Sequence, residues 1–186
     1  MRCGGGGPNP ISAFTLTTAG FHLLYSSLVL SIRRATIDDA ALLRAMIREL
    51  AEFERELEFC TIEEADLARD GFGENPKFHA LIAECDGRSA GYAVFFECYS
   101  TWQGAELYLE DLFVRPQFRG RKIGMKLLSA VARIAVEQNC RAMRWEVLDW
   151  NENAIALYKS LGAEFRHQWK SVLLTQDGLK RLAERT

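Results

Sequence analysis

Hydrophobic and polar positions along the middle of the chain fall first into strand-like runs and then into a three-and-four repeat. The runs FHALIAEC (78–85) and SAGYAVFFECY (89–99) predict two strands joined through Asp86-Gly87, a strong hairpin signal. AELYLEDLFV (105–114) predicts a further strand, and LVLSIRRAT (28–36) predicts one ahead of them. Between these lie two helices. Thr36 is placed as an N-cap before an acidic first turn, and Leu42, Leu43, Met46, Ile47, Leu50 and Phe53 hold helical spacing to about Arg55. Thr61-Ile62-Glu63-Glu64 reads as a capping box for a shorter helix ending near Gly71. Downstream, Ile123, Leu127, Leu128, Val131, Ile134 and Ala135 mark a helix over about 122–139. A strand AMRWEVLD (142–149), a helix over about 151–161 closed by Gly162, a strand EFRHQWKSVLLT (164–175) and a short C-terminal helix complete the prediction. Strands that meander and then alternate with helices predict a mixed α/β sheet.

Composition narrows the class. With 186 residues, 48% apolar and 26% charged, the chain fits one globular domain with a substantial core. A net charge of −2 argues against a nucleic-acid or anionic-membrane partner. The five cysteines (Cys3, Cys60, Cys85, Cys98, Cys140) are odd in number and lack a C-x-x-C pair, as reduced thiols of a cytoplasmic protein would. His22, His79 and His167 show no metal-ligand spacing, so no metal is expected. CGGGGPNP at the start predicts a flexible extension over 1–27 ahead of a domain over 28–186. FHLLYSSLVL (21–30) is short of the roughly 20 residues of a membrane span and lacks signal-peptide flanks.

The stretch LEDLFVRPQFRGRKIG (109–124) carries the chemistry. A strand holding Glu110 and Asp111 runs into a cationic, glycine-containing turn at a helix start. Free amides and the macrodipole make such a start an anion site, and the added cations favour a pyrophosphate. The alternative is a solvated basic turn capping an ordinary helix. Neither G-x-G-x-x-G nor G-x-x-x-x-G-K-[ST] is present.

Arg119-Gly120-Arg121-Lys122-Ile123-Gly124 resembles the acetyl-CoA loop [Q/R]-x-x-G-x-[G/A] of the GCN5-related N-acetyltransferase (GNAT) superfamily, with Lys122 where the family has a glycine. YLEDLFV, FRGRKIG, WNENAIALYKSLGAE and ELAEFE together resemble its spermidine/spermine (diamine) and thialysine acetyltransferase branch, over about Leu28 to Leu174. The resemblance implies a mostly antiparallel mixed sheet, flanked by helices and splayed between the fourth and fifth strands. It implies that Leu112, Phe113 and Val114 pair with pantetheine, and that Arg119, Gly120, Arg121, Lys122, Ile123, Gly124 and Met125 hold the pyrophosphate. Asn151, Glu152, Asn153 and Ala154 would face the cofactor at the next helix start.

The roles implied for catalysis are a base, Glu110, acting through water, and an acid, Tyr158, that protonates the departing thiolate. Asp111 would be a helper or a structural pair, because strand alternation sends it to the face opposite Glu110. Phe53, Glu54, Arg144, Trp145 and Glu146, with Glu110, match the amine-contacting positions. The segment before Trp169 is shorter than in polyamine enzymes and lacks their acidic pair, which leaves diamines or a lysine-like amino acid open. The expected activity is acetyl transfer from acetyl-CoA to a small primary amine, within a homodimer that uses Trp102 and Trp169. The alternatives are acetylation of a protein N-terminus or another amine, such as an aminoglycoside, and a catalytically silent acyl-CoA-binding module.

Overall fold

The computed structural model describes residues 29–185, so the expectation for residues 1–27 and the start of the first strand at Leu28 lie outside the described residues. Five strands form one sheet in chain order: β1 (Leu30–Arg34), β2 (His79–Cys85), β3 (Arg88–Ser100), β4 (Gly104–Val114) and β5 (Ala142–Arg144). β1 to β4 are antiparallel and β5 joins β4 in parallel. The β2–β3 turn has Asp86 at φ 52° and Gly87 at φ 72°, both left-handed, as the Asp-Gly pair requires.

Helices cover both faces. α1 (Ala40–Glu54) and α2 (Glu64–Phe72) pack on one side. There, Leu43 and Met46 meet Ile82, Tyr92, Val94 and Phe113. α3 (Ile123–Glu137) fills the other side, with Leu127, Leu128 and Val131 against Leu81, Phe95, Leu107 and Leu109. Each such buried Leu or Ile contributes roughly 1.5–3 kcal/mol over its exposed state. α4 (Glu152–Ser160) and α5 (Gln176–Ala183) follow β5. Among the described residues no helix is long and apolar enough to cross a membrane.

Three expectations need correction. The box that starts α2 is Glu63 with Asp66, not Thr61 with Glu64: Asp66 accepts from the Glu63 amide, and the helix begins one residue after Glu63. Here the Glu63 carboxylate stands at the N-cap where a hydroxyl is usual, with Asp66 reaching back from N3, and that choice is invisible in the pattern. The fifth strand stops at Arg144, because β5 pairs with β4 only over Ala142–Arg144 against Glu106–Tyr108. Beyond this the two strands part. Segment 164–175 enters no ladder, and Trp169, Val172 and Leu173 stay exposed. Its alternating apolar residues match a strand, but a strand also needs a neighbour for its amides and carbonyls.

The walls around the parting strands are held by specific contacts. Arg115, just after β4, grips Glu49 of α1 with two guanidinium nitrogens (Nε to Oε2 2.9 Å, Nη2 to Oε1 2.6 Å). Such a two-point pair fixes direction as well as distance. A Cβ at Gly91 would run into the Phe113 carbonyl oxygen, so glycine alone lets β3 lie this close to the end of β4.

Candidate acetyl-transfer site

Where β4 and β5 separate, a cleft of about 770 Å³ opens. Its walls are the end of α1 (Leu50, Phe53, Glu54), β4 from Leu109 to Val114, the start of α3, the segment Trp145–Leu148 and the first turns of α4. Of the expected site residues, the cleft brings together Phe53, Glu54, Glu110, Leu112, Phe113, Val114, Arg119, Gly120, Lys122, Ile123, Gly124, Met125, Trp145, Glu146, Asn151, Asn153, Ala154 and Tyr158. Arg121, Arg144 and Glu152 do not line it. The Arg121 guanidinium lies over the Phe118 ring at 5.6 Å, and Arg144 forms an ion pair with buried Glu106 at 2.6 Å.

One end is built for an anion. Gly120 has φ +78° and nothing within 4 Å of a Cβ position, so its glycine answers to backbone conformation and not to crowding. Lys122, the N-cap of α3, sits at φ 60°, ψ 20°. That left-handed conformation explains the glycine of the family motif, and a lysine adopts it at a cost of roughly 1–2 kcal/mol. Left-handed turns of this kind turn successive amides inward around an anion. Arg119 currently donates its Nε to the Val114 carbonyl at 3.0 Å and lies 4.8 Å over the Phe53 ring.

The other end is acidic. The β3–β4 register places Val94 opposite Asp111 but Phe95 opposite Leu109, which leaves Glu110 as the extra residue of a β-bulge. Simple alternation puts Glu110 and Asp111 on opposite faces, whereas the bulge brings both into the cleft. Burial, then the neighbouring Glu146, pushes the Glu110 carboxyl above its ordinary range. Burial and then Glu56 do the same to Glu54. Asp111 accepts a hydrogen bond from the Tyr92 hydroxyl at 2.9 Å. Its carboxyl is pushed up to about 6, chiefly by burial, with Glu110 and Glu54 adding to the rise and Tyr92 opposing it. Among the described residues, none of Glu54, Glu110, Asp111 and Glu146 takes part in a salt bridge. A cationic guest answers that charge best.

Tyr158 lines the same cleft. Its ring is buried edge-on to Trp145, with centroids 5.1 Å apart. Burial alone raises its phenol above the ordinary value, so it holds its proton at neutral pH. Asn151 caps α4, its side chain accepting from the Ala154 amide at 3.3 Å, and so aims the helix that carries Tyr158.

The acetyltransferase (GNAT) family pattern matches residues 43–163, spanning the cleft from α1 to the end of α4. The chain belongs to the GNAT acetyltransferase family. It is 43% identical to the thialysine N-epsilon-acetyltransferase of Mus musculus over 83% of this chain and 97% of that protein. It is 37% identical to the human (Homo sapiens) spermidine/spermine N(1)-acetyltransferase-like protein 1 over 71% of this chain and 20% of that one. An integron cassette protein from the mobile metagenome of V. cholerae shares the fold, with a TM-score of 0.69 at 26% identity over 83% of this chain and 98% of that chain. In this GNAT chain the splay between the fourth and fifth strands is the β4–β5 separation that opens the cleft.

Two contributors were missed by motif reading. Tyr92 is signalled only by the β3–β4 register, which sets it diagonal to Asp111. Trp150 closes over Phe53 with centroids 5.7 Å apart, and Arg55 lies 5.4 Å over the same indole. Its place beside Asn151 is visible in the sequence, but contact with α1 follows from tertiary structure alone.

Proposed function

We propose that the protein transfers the acetyl group of acetyl-CoA directly to a primary amine of a small cationic substrate of the thialysine or diamine class. The observation that carries this is one cleft lined by a basic, left-handed helix start, by four carboxylates and by a buried phenol that keeps its proton. The backbone amides of Gly120 and of Lys122 to Met125 at the start of α3, with the Arg119 and Lys122 side chains, would take the pyrophosphate, and Leu112 to Val114 would pair with the pantetheine amides. Arg119 would leave the Val114 carbonyl to do so. Glu54, Glu110, Asp111 and Glu146 would attract the ammonium. Glu110 then takes a proton through water, the neutral amine attacks the thioester carbonyl, the carbon–sulfur bond breaks and Tyr158 protonates the thiolate. The second proton, shed by the nitrogen as it becomes an amide, restores the Tyr158 phenol. Two copies would pair through a contact that includes the exposed Trp102 and Trp169.

CoA release with an amine panel tests the proposal. Thialysine or a diamine should give faster release than an aminoglycoside or a peptide with a free N-terminus. Acetyl-CoA binding without release by any amine would make the protein a silent binding module.

The cofactor end has its own expected result. Arg119→Ala combined with Lys122→Glu should raise the KM for acetyl-CoA at least tenfold, which is about 1.4 kcal/mol. An unchanged KM would place the pyrophosphate elsewhere.

A further inference from the structure

Tyr92 is fully buried on the α1 side of the sheet, packed among Leu43, Met46, Ile82 and Phe113. A phenylalanine would fill that volume equally well, so packing does not require the hydroxyl. A buried phenol without a partner costs about 1–3 kcal/mol, and the partner of this one is a carboxylate in the cleft. The contact exists because the bulge at Glu110 sets Asp111 opposite Val94, diagonal to Tyr92.

Resting on the amine-acetylation reading above, we propose that Tyr92 is a positioning residue: its hydroxyl holds the Asp111 carboxylate facing the cleft, where Asp111 docks the ammonium group of the incoming amine. Tyr92 thereby sets the pH at which this docking point acquires its charge. The groups that face the pair are Glu110 on β4, Glu54 at the end of α1 and Cys60 beyond it, with Glu146 acting on Glu110 from across the cleft. All are acids, and each that is ionised disfavours ionisation of Asp111. The Tyr92 hydrogen bond works the other way, since it stabilises the carboxylate.

The sign of the effect follows. Asp111 binds its proton as the pH falls through about 6, and the docking charge is then lost. Without the Tyr92 hydroxyl the carboxylate is less favoured, so docking should fail at a higher pH. A hydrogen bond of about 0.5–1.5 kcal/mol corresponds to roughly half to one pH unit.

The test is the pH profile of kcat/KM for the best amine of the panel, in the parent, Tyr92→Phe and Asp111→Asn. The expected result is an acid limb near pH 6 in the parent that moves up by about half a unit or more in Tyr92→Phe. Asp111→Asn should lose the part of that limb that responds to Tyr92, keep the part set by the base Glu110, and raise the amine KM at least tenfold, with the acetyl-CoA KM unchanged. A Tyr92→Phe protein with altered melting temperature and an unmoved acid limb would overturn the proposal. So would an Asp111→Asn protein whose limb and amine KM match the parent's. Both outcomes need a parent that turns over amine, so they are distinct from failure of the acetylation reading, which shows as no CoA release in the parent.

Discussion

Tyr158→Phe should lower kcat at pH 7 by at least about a hundredfold, the lower end of what general acid catalysis supplies. The change removes one hydroxyl from a ring held by Trp145 and the α3-side core, so packing and acetyl-CoA affinity should hardly move. The prediction rests on where α4 puts the residue. Capped by Asn151, the helix runs along the cleft, with Ala154, Leu157 and Tyr158 on the lining. Burial raises the phenol's pKa and keeps the proton available for a leaving thiolate at every physiological pH. Stopped-flow or steady-state CoA release, with the melting temperature measured alongside, separates this role from a packing role. A variant with more than about a third of the parent kcat would remove Tyr158 from the mechanism, since general acids are worth far more.

Glu110→Gln should give a loss of similar size with a different signature. Glutamine keeps the shape and cannot take a proton. A lysine-like amine of pKa about 10.4 is neutral in only about one molecule in 2,500 at pH 7, and each unit of pH multiplies that fraction about tenfold. The glutamine variant should therefore be about a hundredfold slower at pH 7 and recover at least tenfold relative to the parent by pH 9. In the parent, the upward shift caused by burial and Glu146 brings the carboxyl nearer neutrality, where a base is most effective. A deficit that stays constant with pH would show that Glu110 serves the amine by charge and not by proton transfer.

Much of this arrangement was legible before any coordinates. Leu43 and Met46 on α1, and Leu127, Leu128 and Val131 on α3, face the core where helical spacing placed them. Asp86-Gly87 made the turn its residue types demand. The basic turn at a helix start proved to lie in the same cleft as Glu110 and as Tyr158, which is far from it in sequence. What stayed hidden depended on pairing. A bulge shows in no single strand, because it is a mismatch between two, so the joint presence of Glu110 and Asp111 in the cleft went unforeseen. Residues Trp145 to Leu148 and 164–175 carry strand-like sequence, yet β5 ends at Arg144 and the later segment joins no ladder. Lys122 in place of a glycine is plain in the sequence, but the left-handed backbone that the position demands is seen only in the structure.

The account turns on an acidic cleft that admits a cationic amine to acetyl-CoA. Its most direct test compares CoA release for the panel's most active amine with release for an isostere whose second amino group is replaced by methyl. Both keep the reacting nitrogen, and only one can engage two of the cleft's carboxylates. The account predicts a kcat/KM at least tenfold higher for the doubly cationic amine, about 1.4 kcal/mol, diminishing as salt screens the cleft. Equal values for the two amines, or a preference for the singly charged one, would contradict it.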